Sequence, residues 1–404
     1  MAFKPVKVAV VGSGNISYTY LKTLSSGFTI IDLVGCSDIF PEKSKARAEM
    51  FCIKQMTTEE ILKDPEIELV VNITEINNHT KVTRMCLEAG KHVYSEKSAG
   101  CAFEETKANV ELAKSKGLLF GAAPDTFLGA AYQTARKLID DGWIGDPIIA
   151  RGWCIRGRKT EQRAEPVDPN AVFIAKGTTV TYDNGGYYNN ALVSLLGPVV
   201  RCTGFARPSE KHTWENTRHP DFGKQIKLGA GATVMMGVLE FENGCYGNLV
   251  LTVDGFGREI PLVEIIGTKG MLSIPDPNVY GGWGHDIYLS RVGDEIPQRI
   301  PFSHGFADTD PSILPKTGQR DPGYNGWRGI AVVDMAYALR RNRPHRCSPE
   351  LALHNVEIIS AIEENSQKNP GVYTMTTRPA RPAPLAPGYI GPVEVMEGAI
   401  DNIR

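Results

Sequence analysis

Gly12, Gly14 and Asp38 are the first residues whose types and spacing suggest chemistry. The two glycines follow at once on the apolar run Val6-Lys7-Val8-Ala9-Val10-Val11, and Asp38 closes the next apolar stretch. A glycine in that place lets the chain turn sharply off a strand. A second lets a pyrophosphate approach the backbone N–H groups that open a helix, where the helix dipole favours an anion. A carboxylate at the end of the second strand accepts the ribose hydroxyls and repels a 2′-phosphate, which selects NAD over NADP. The third position of the fingerprint is Ser17, not glycine, and this predicts slightly wider helix-to-strand packing. A Gly-x-Gly after a strand is by itself only a turn. Strand, helix and acid in register make it a nucleotide site.

The elements that must position these residues alternate. The pattern predicts strands at 6–11 and 29–36 with a helix through Leu21 and Leu24 between them, then a strand at 67–73, a helix at 81–88, a short strand at 92–94, a helix at 103–116 and a strand at 118–122. Five or six strands alternating with helices imply a doubly wound parallel sheet, with ligand beyond the strands' carboxyl ends. Thr74 to His79, Glu96, Lys97 and Ala123 to Thr126 fall at that edge. The candidates to line the cofactor are therefore Gly12, Gly14, Asn15, Ile16, Asp38, Thr74, Asn77, His79, Glu96 and Lys97.

The bulk numbers frame this reading. The chain has 404 residues, 42% hydrophobic and 22% charged, which calls for more than one core. The expected division is a nucleotide-binding domain at 1–124, an α+β domain at 125–376 for substrate and oligomerisation, and a proline-rich arm at 377–404. Forty-four basic against 46 acidic residues, with no long run of one sign, argue against nucleic acid as a partner. The eight cysteines are scattered, without Cys-x-x-Cys or zinc-ligand spacing, which suits a reduced, cytoplasmic compartment and no metal. No apolar stretch is long enough to span a membrane.

In the second part the pattern predicts a linking helix at 131–140 and strands at 147–153, 200–205, 232–241, 244–253, 262–267 and 270–274, with Glu242-Asn243-Gly244 as a hairpin turn. Residues 275–325, rich in Gly, Pro and Asp, read as a long loop over the substrate. Helices are expected at 329–341 and 350–368, and an extended arm at 377–392 laid on a neighbouring subunit. Asp125, Arg156, Arg158, Tyr188, Asn190 and His304 are candidate substrate contacts, with Trp153, Trp283 and Trp327 as walls for a sugar ring.

Four pieces, in this order, carry a resemblance: Gly12-Ser13-Gly14-Asn15-Ile16, Asn72-Ile73-Thr74 through His79, Ala89 through Ser98, and Asp183-Asn184-Gly185-Gly186-Tyr187-Tyr188-Asn189-Asn190. Over nearly its whole length the chain resembles the Gfo/Idh/MocA oxidoreductases, named for glucose-fructose oxidoreductase, inositol dehydrogenase and a rhizopine catabolism protein. The resemblance implies NAD(P) in the first domain, substrate against a large, mainly antiparallel sheet in the second, and a homo-oligomer formed through that sheet. The family's Glu-Lys-Pro motif falls on Glu96-Lys97-Ser98. The family proline is often preceded by a cis peptide, but a cis bond before serine costs ~3 kcal/mol, so a trans bond is expected. The family's Asp-x-Gly-x-His-x-x-Asp falls on Asp183, Gly185, Tyr187 and Asn190, with tyrosine for histidine and asparagine for the second aspartate.

That register nominates Lys97, Asp183 and Tyr187 for catalysis. Oxidising an alcohol requires one group to take the hydroxyl proton while nicotinamide takes hydride. Lysine and phenol both titrate near ~10, so neither is a base at neutral pH unless shifted. Burial and the positive nicotinamide are expected to lower the Lys97 pKa, and charged Lys97 to favour a Tyr187 phenolate. Asp183 has two readings, orienting the lysine or capping the helix that follows. The implied activity is oxidation of a secondary hydroxyl of a sugar or glycoside, and the Tyr-Tyr variant resembles a branch that oxidises the 3-hydroxyl of glucosides. The alternatives are a dehydrogenase or reductase for inositol or an anhydro sugar, and a non-catalytic NAD-dependent sugar sensor.

Overall fold

The computed structural model describes residues 3–25, 28–155, 180–208, 211–213, 225–227, 231–253, 262–282, 284–308, 326–367 and 371–388. The first part alternates as the sequence pattern requires: β1 (Val6–Val11), α1 (Ser17–Ser25), β2 (Ile31–Ser37), α2 (Pro41–Phe51), β3 (Lys54–Gln55), α3 (Thr58–Lys63), β4 (Leu69–Asn72), α4 (His79–Glu88), β5 (His92–Ser95), α5 (Phe103–Ser115) and β6 (Phe120–Ala122). The six strands form one parallel sheet in the order β3-β2-β1-β4-β5-β6. The central strands are apolar on both faces because helices cover both. Val8, Val10, Leu69 and Val71 belong to one core cluster, while Ala9, Val70 and Val93 belong to another on the opposite face.

The second part contains α6 (Ala130–Asp140), β7 (Pro147–Ile155), α7 (Gly186–Leu196), β8 (Val199–Arg207), β9 (Lys211–Thr213), β10 (Gln225–Lys227), β11 (Val234–Phe241), β12 (Tyr246–Thr252), β13 (Leu262–Gly267), β14 (Gly270–Ile274), β15 (Ile287–Arg291), β16 (Gln298–Ile300), α8 (Ile330–Arg341), α9 (Pro349–Gln367) and β17 (Tyr373–Thr374). Among the described residues, nine strands make one sheet, ordered β16-β15-β14-β13-β7-β12-β11-β8-β17. Every neighbour pair is antiparallel except β7 and β12. One face of this sheet is covered by α7, all of whose residues are buried, and by α9.

One expectation changes here. The segment 275–325 is not one loop: β15 and β16 lie within its described part and widen the sheet by pairing outward from β14. Its alternation is brief, and the glycines and prolines around it mask the two short strands. Residues 377–388 pack on their own chain. Arg381 binds Asp140 and the Leu195 carbonyl, and Leu385 is buried with its N–H given to Gln133.

Helix α8 returns to the first part of the chain. Arg340 donates to both carboxylate oxygens of Glu68 and to the carbonyls of Lys4 and Pro5, and Tyr337 meets Phe3 edge-on at 6.0 Å. The α8–α9 connection is tied by Asp334, fully buried, which accepts from Arg343 at 2.8 Å and from Arg346 at 2.5 Å, while Arg346 also donates to the carbonyls of Ala383 and Pro384. Burial works against the Asp334 carboxylate, but the two guanidiniums outweigh it and hold its pKa below the ordinary range. A depressed folded-state pKa means that this contribution is complete above the unfolded value of about 3.9 and is lost as pH falls through the folded one. Asp334→Ala removes the carboxylate that Arg343 and Arg346 share and is expected to lower unfolding free energy by about 3–5 kcal/mol near neutral pH, with the difference from wild type narrowing in acid. Urea unfolding followed by circular dichroism at a series of pH values measures both.

Candidate active site

The turn after β1 has the geometry of an anion cradle. Gly12 has φ +106°, and a Cβ there would lie 2.6 Å from the Ile73 carbonyl oxygen, so only glycine fits. At Gly14 an added Cβ would meet nothing within 4 Å, which is the open space a pyrophosphate needs above the N-terminus of α1. Ser17 is buried, donates to the Gly14 carbonyl at 2.6 Å and accepts from Arg47 at 2.9 Å, so the serine ties the turn to α2. Asp38, at the end of β2, accepts from the backbone N–H groups of Ser13 at 2.6 Å and Phe40 at 2.9 Å, which fixes its carboxylate beside the glycine turn. Asn15 is exposed and Ile16 half-buried on the same turn.

The later strand ends supply braces as well as contacts. Asn72 accepts from the N–H and hydroxyl of Thr74 and donates to the His79 carbonyl. His79 is buried, with its ring nitrogens 2.8 Å from the Ser98 carbonyl and 2.9 Å from that of Thr74. Burial pushes its pKa below the usual histidine range, although both carbonyls favour the charged form. The ring is spent on joining two loops. Glu96 is likewise buried, accepting from the Tyr20 hydroxyl at 2.9 Å and from the Lys97 N–H at 2.8 Å. Asn77 is exposed. The Lys97–Ser98 peptide is cis, contrary to the expectation for a non-proline residue. Ser98 is buried there, and its carbonyl is the one that His79 engages.

The three residues nominated for catalysis come together. Asp183 lies in a single π-helical turn, Thr181–Gly185, that runs straight into α7. Lys97 Nζ donates to Asp183 Oδ1 and, at 2.9 Å, to its carbonyl oxygen, with 17% of the lysine and 25% of the aspartate side chain exposed. Nζ also lies 5.6 Å from the Tyr187 ring centroid. Asp183 is not the cap of α7: the cap position is Gly185, without a side-chain bond, and the second carboxylate oxygen accepts from Asn184 at 2.9 Å. The π turn leaves Asp183 and Tyr187 on the side that faces Lys97, the kind of place where such turns occur.

The expected pKa directions for two of these residues are overturned. Burial would lower Lys97, but Asp183, Tyr187 and Glu96 outweigh it, and its pKa rises above the ordinary lysine value. Burial raises the Tyr187 phenol above its ordinary value, with Arg328 and Lys97 pulling the other way. Lys97 is thus a fixed cation in the protein by itself, and Tyr187 a protonated phenol.

Most of the other proposed substrate contacts are consumed by the fold. Asp125 is buried, accepts from the Tyr280 hydroxyl at 2.8 Å, and takes the N–H groups of Gly329 and Ala331 at 2.8 and 3.2 Å, so it caps α8. Tyr188 is 1% exposed and donates to the Trp153 carbonyl. Asn190 is buried and donates to the Pro124 carbonyl at 3.0 Å. His304 bridges Ser303 and the Leu385 carbonyl, and burial pushes its pKa down to about 4. Trp153 stands on the sheet face opposite α7, under Arg151. Trp327 packs between Phe28 and Phe306. Arg156, Arg158 and Trp283 lie outside the described residues.

Arg328 was not anticipated. It donates to the Tyr187 hydroxyl oxygen at 2.8 Å and to Asn278 Oδ1 at 2.5 Å. In the sequence it stands between a Gly/Pro/Asp-rich stretch and a predicted helix, where no periodicity marks it.

A parallel sheet with an anion cradle and a lysine–aspartate–tyrosine cluster beyond its carboxyl edge defines a dinucleotide-dependent oxidoreductase. Comparison with known proteins agrees. The family described as "Oxidoreductase family, NAD-binding Rossmann fold" matches residues 6–123, and "GFO/IDH/MocA C-terminal domain" matches residues 132–273. Levoglucosan dehydrogenase of Pseudarthrobacter phenanthrenivorans is 31% identical over 315 residues, 74% of each chain. The scyllo-inositol 2-dehydrogenase (NAD(+)) of Bacillus subtilis is 25% identical over 273 residues, 67% of this chain and 73% of that one. An oxidoreductase of Schizosaccharomyces pombe is 31% identical over 209 residues, and this match spans 49% of the chain and 54% of that relative. The crystal structure of levoglucosan dehydrogenase with NADH superposes with a TM-score of 0.74 at 18% identity, covering 93% of this chain and all of that one, a likeness of fold. The chain belongs to the Gfo/Idh/MocA family of oxidoreductases, and NAD is its cofactor.

The two glycines separate fold from binding. Gly14→Val is expected to leave the thermal unfolding midpoint within a few degrees of wild type while weakening NADH affinity more than tenfold, as read by quenching of protein fluorescence. Gly12→Val is expected to lower the midpoint as well, because of its clash with Ile73.

Proposed function

We propose that the protein is an NAD-dependent dehydrogenase acting on a secondary hydroxyl of a sugar or glycoside, with the 3-hydroxyl of a glucoside as the position to test first. The observation that carries this reading is the Lys97–Asp183 pair beside Tyr187, placed beyond the strand ends that hold the cofactor cradle. Two relatives named for a polyol and an anhydro sugar support the substrate class. NAD, when bound, supplies the acceptor or donor of hydride.

The chain's own residues do the rest. Two of the three ammonium protons of Lys97 are given to Asp183, which leaves the third for a substrate oxygen. A raised pKa keeps that donor charged across the working range, so it stabilises negative charge developing on the reacting oxygen. Asp183 keeps the ammonium from swinging into water. Lys97→Ala is expected to reduce turnover by about 10²–10⁴-fold on the best substrate while NADH binding stays within threefold, as measured by NADH absorbance on a panel of glucosides, inositols and anhydro sugars. If wild type reduced NAD with none of the panel, and showed no exchange with keto-sugar acceptors, the dehydrogenase reading would fail.

The proposal extends to assembly. The sheet face opposite α7 exposes Phe205 (74%), Met236, Val238, Tyr246, Ile149, Ile266 and Tyr288, set side by side by the strand register. An apolar-rich face of this kind suits a second copy of the same face, with the ion pair Arg151–Glu264 set among its apolar residues and Arg201–Glu240 beside Tyr246. Phe205→Asp is expected to shift the sedimentation coefficient toward a smaller species.

A further inference from the structure

The Tyr187 side chain has a second cationic neighbour besides Lys97, whose ammonium lies over the ring. Arg328 Nη1 donates to the Tyr187 oxygen at 2.8 Å, and the guanidinium carbon lies 5.3 Å from the ring centroid. The other arm of the guanidinium is fixed on Asn278, through Oδ1 at 2.5 Å and the carbonyl at 3.3 Å. Its backbone is fixed too, because the N–H groups of Gly329 and Ala331 are held by buried Asp125. An arginine so clamped has little freedom to leave its tyrosine.

Arginine has only donors and does not lose its proton. Where it meets a phenol, the phenol oxygen must be the acceptor. The single phenol hydrogen is then directed away from Arg328. Lys97 is tied to Asp183 and stays an ammonium, so it donates to a reacting oxygen without taking that oxygen's proton.

We propose that Arg328 is a positioning residue that makes Tyr187 the proton carrier of the reaction, by holding the phenol oxygen as an acceptor and stabilising the phenolate left when its proton departs. This deepens the dehydrogenase reading and rests on it. In the oxidative direction the substrate O–H bond breaks and its proton joins the Tyr187 phenolate oxygen. The carbon–hydrogen bond breaks with its electron pair, which leaves as hydride for NAD⁺. The alcohol becomes a ketone, the coenzyme is reduced, and the phenol is restored. Reduction runs the same steps backwards, with neutral Tyr187 as the acid.

The charged groups facing Tyr187 from each element are Asp183 on its own helix, Glu96 and Lys97 from the end of β5, and Arg328 from the lead-in to α8. Burial and the two carboxylates favour the neutral phenol, and the two cations favour the phenolate. Oxidation is therefore expected to speed up as pH rises toward the phenol pKa, and removing Arg328 must push that rise to higher pH.

The test uses the full chain as wild type, Arg328→Met, Arg328→Lys and Tyr187→Phe. One readout is the pH profile of kcat/KM for sugar oxidation. The other is the ultraviolet tyrosinate titration without substrate, taken as the difference from Tyr187→Phe so that one of the 14 tyrosines is isolated. In Arg328→Met the rising limb and the tyrosinate step should both move up by at least about one pH unit. That means about a tenfold loss of rate at a fixed pH below the limb. KM for NAD should stay within threefold. Arg328→Lys should lie between, and added guanidinium should recover part of the lost rate in Arg328→Met. A uniform fall in kcat with the limb unmoved would show Arg328 to be merely structural and overturn the proposal. An unchanged tyrosinate step in both arginine variants would do the same. If Arg328→Met does not fold, Arg328→Lys alone decides by whether limb and step move. If wild type oxidises no sugar, the dehydrogenase reading falls, and the titration still decides whether Arg328 governs Tyr187.

Discussion

The contact on which the arrangement depends is the ion pair between Lys97 and Asp183. The lysine follows β5 of the parallel sheet, and the aspartate sits in the π turn before α7, so one bond joins the nucleotide-binding part to the helix that covers the large sheet. Partial burial makes either charge costly alone. Together they meet each other's need, and the backbone carbonyl of Asp183 adds a second acceptor for the ammonium. Once the pair is made, Tyr187 follows within the same helical run and is carried to the lysine and to Arg328. The polar side chains around it serve this placement: Asn72, His79 and Glu96 hold the loops on which Lys97 stands.

Strands and helices of both parts were largely legible because their signal is collective. A buried parallel strand needs a run of apolar residues, as at Val6–Val11 and Leu69–Asn72, and a hairpin needs a turn such as Glu242-Asn243-Gly244 between two alternating runs. The segment between Asp38 and Ile67 was missed, although it carries α2 and α3. The signals were present in Pro41 at the start of one helix and in the reciprocal bonds of Thr57 and Glu60 at the start of the other. These helices are mostly solvent-facing, and their apolar periodicity is weak.

Single polar residues were harder to read, for a different reason. A sequence shows that Asp125, Tyr188, Asn190 and His304 can make hydrogen bonds, but not which groups take them up. In the fold their partners are Gly329, Trp153, Pro124 and Leu385, all far away in sequence. Lys97 and Asp183 were found because a family register placed them, and Arg328 was missed because nothing local distinguishes it from a solvated arginine. The cis peptide before Ser98 was likewise beyond reach, since local preference alone points to trans.

Helix α8, near the end of the chain, packs on the N-terminal strands and on α1, with Gly329 against Tyr20 and Arg340 on Glu68. A helix late in the chain thus completes the packing of one near its start. During synthesis on the ribosome, the surface around Tyr20 and Phe28 is without this cover until Trp327 and Gly329 have emerged. A swap of the N-terminal strands and helices between relatives is therefore expected to need α8 to travel with them.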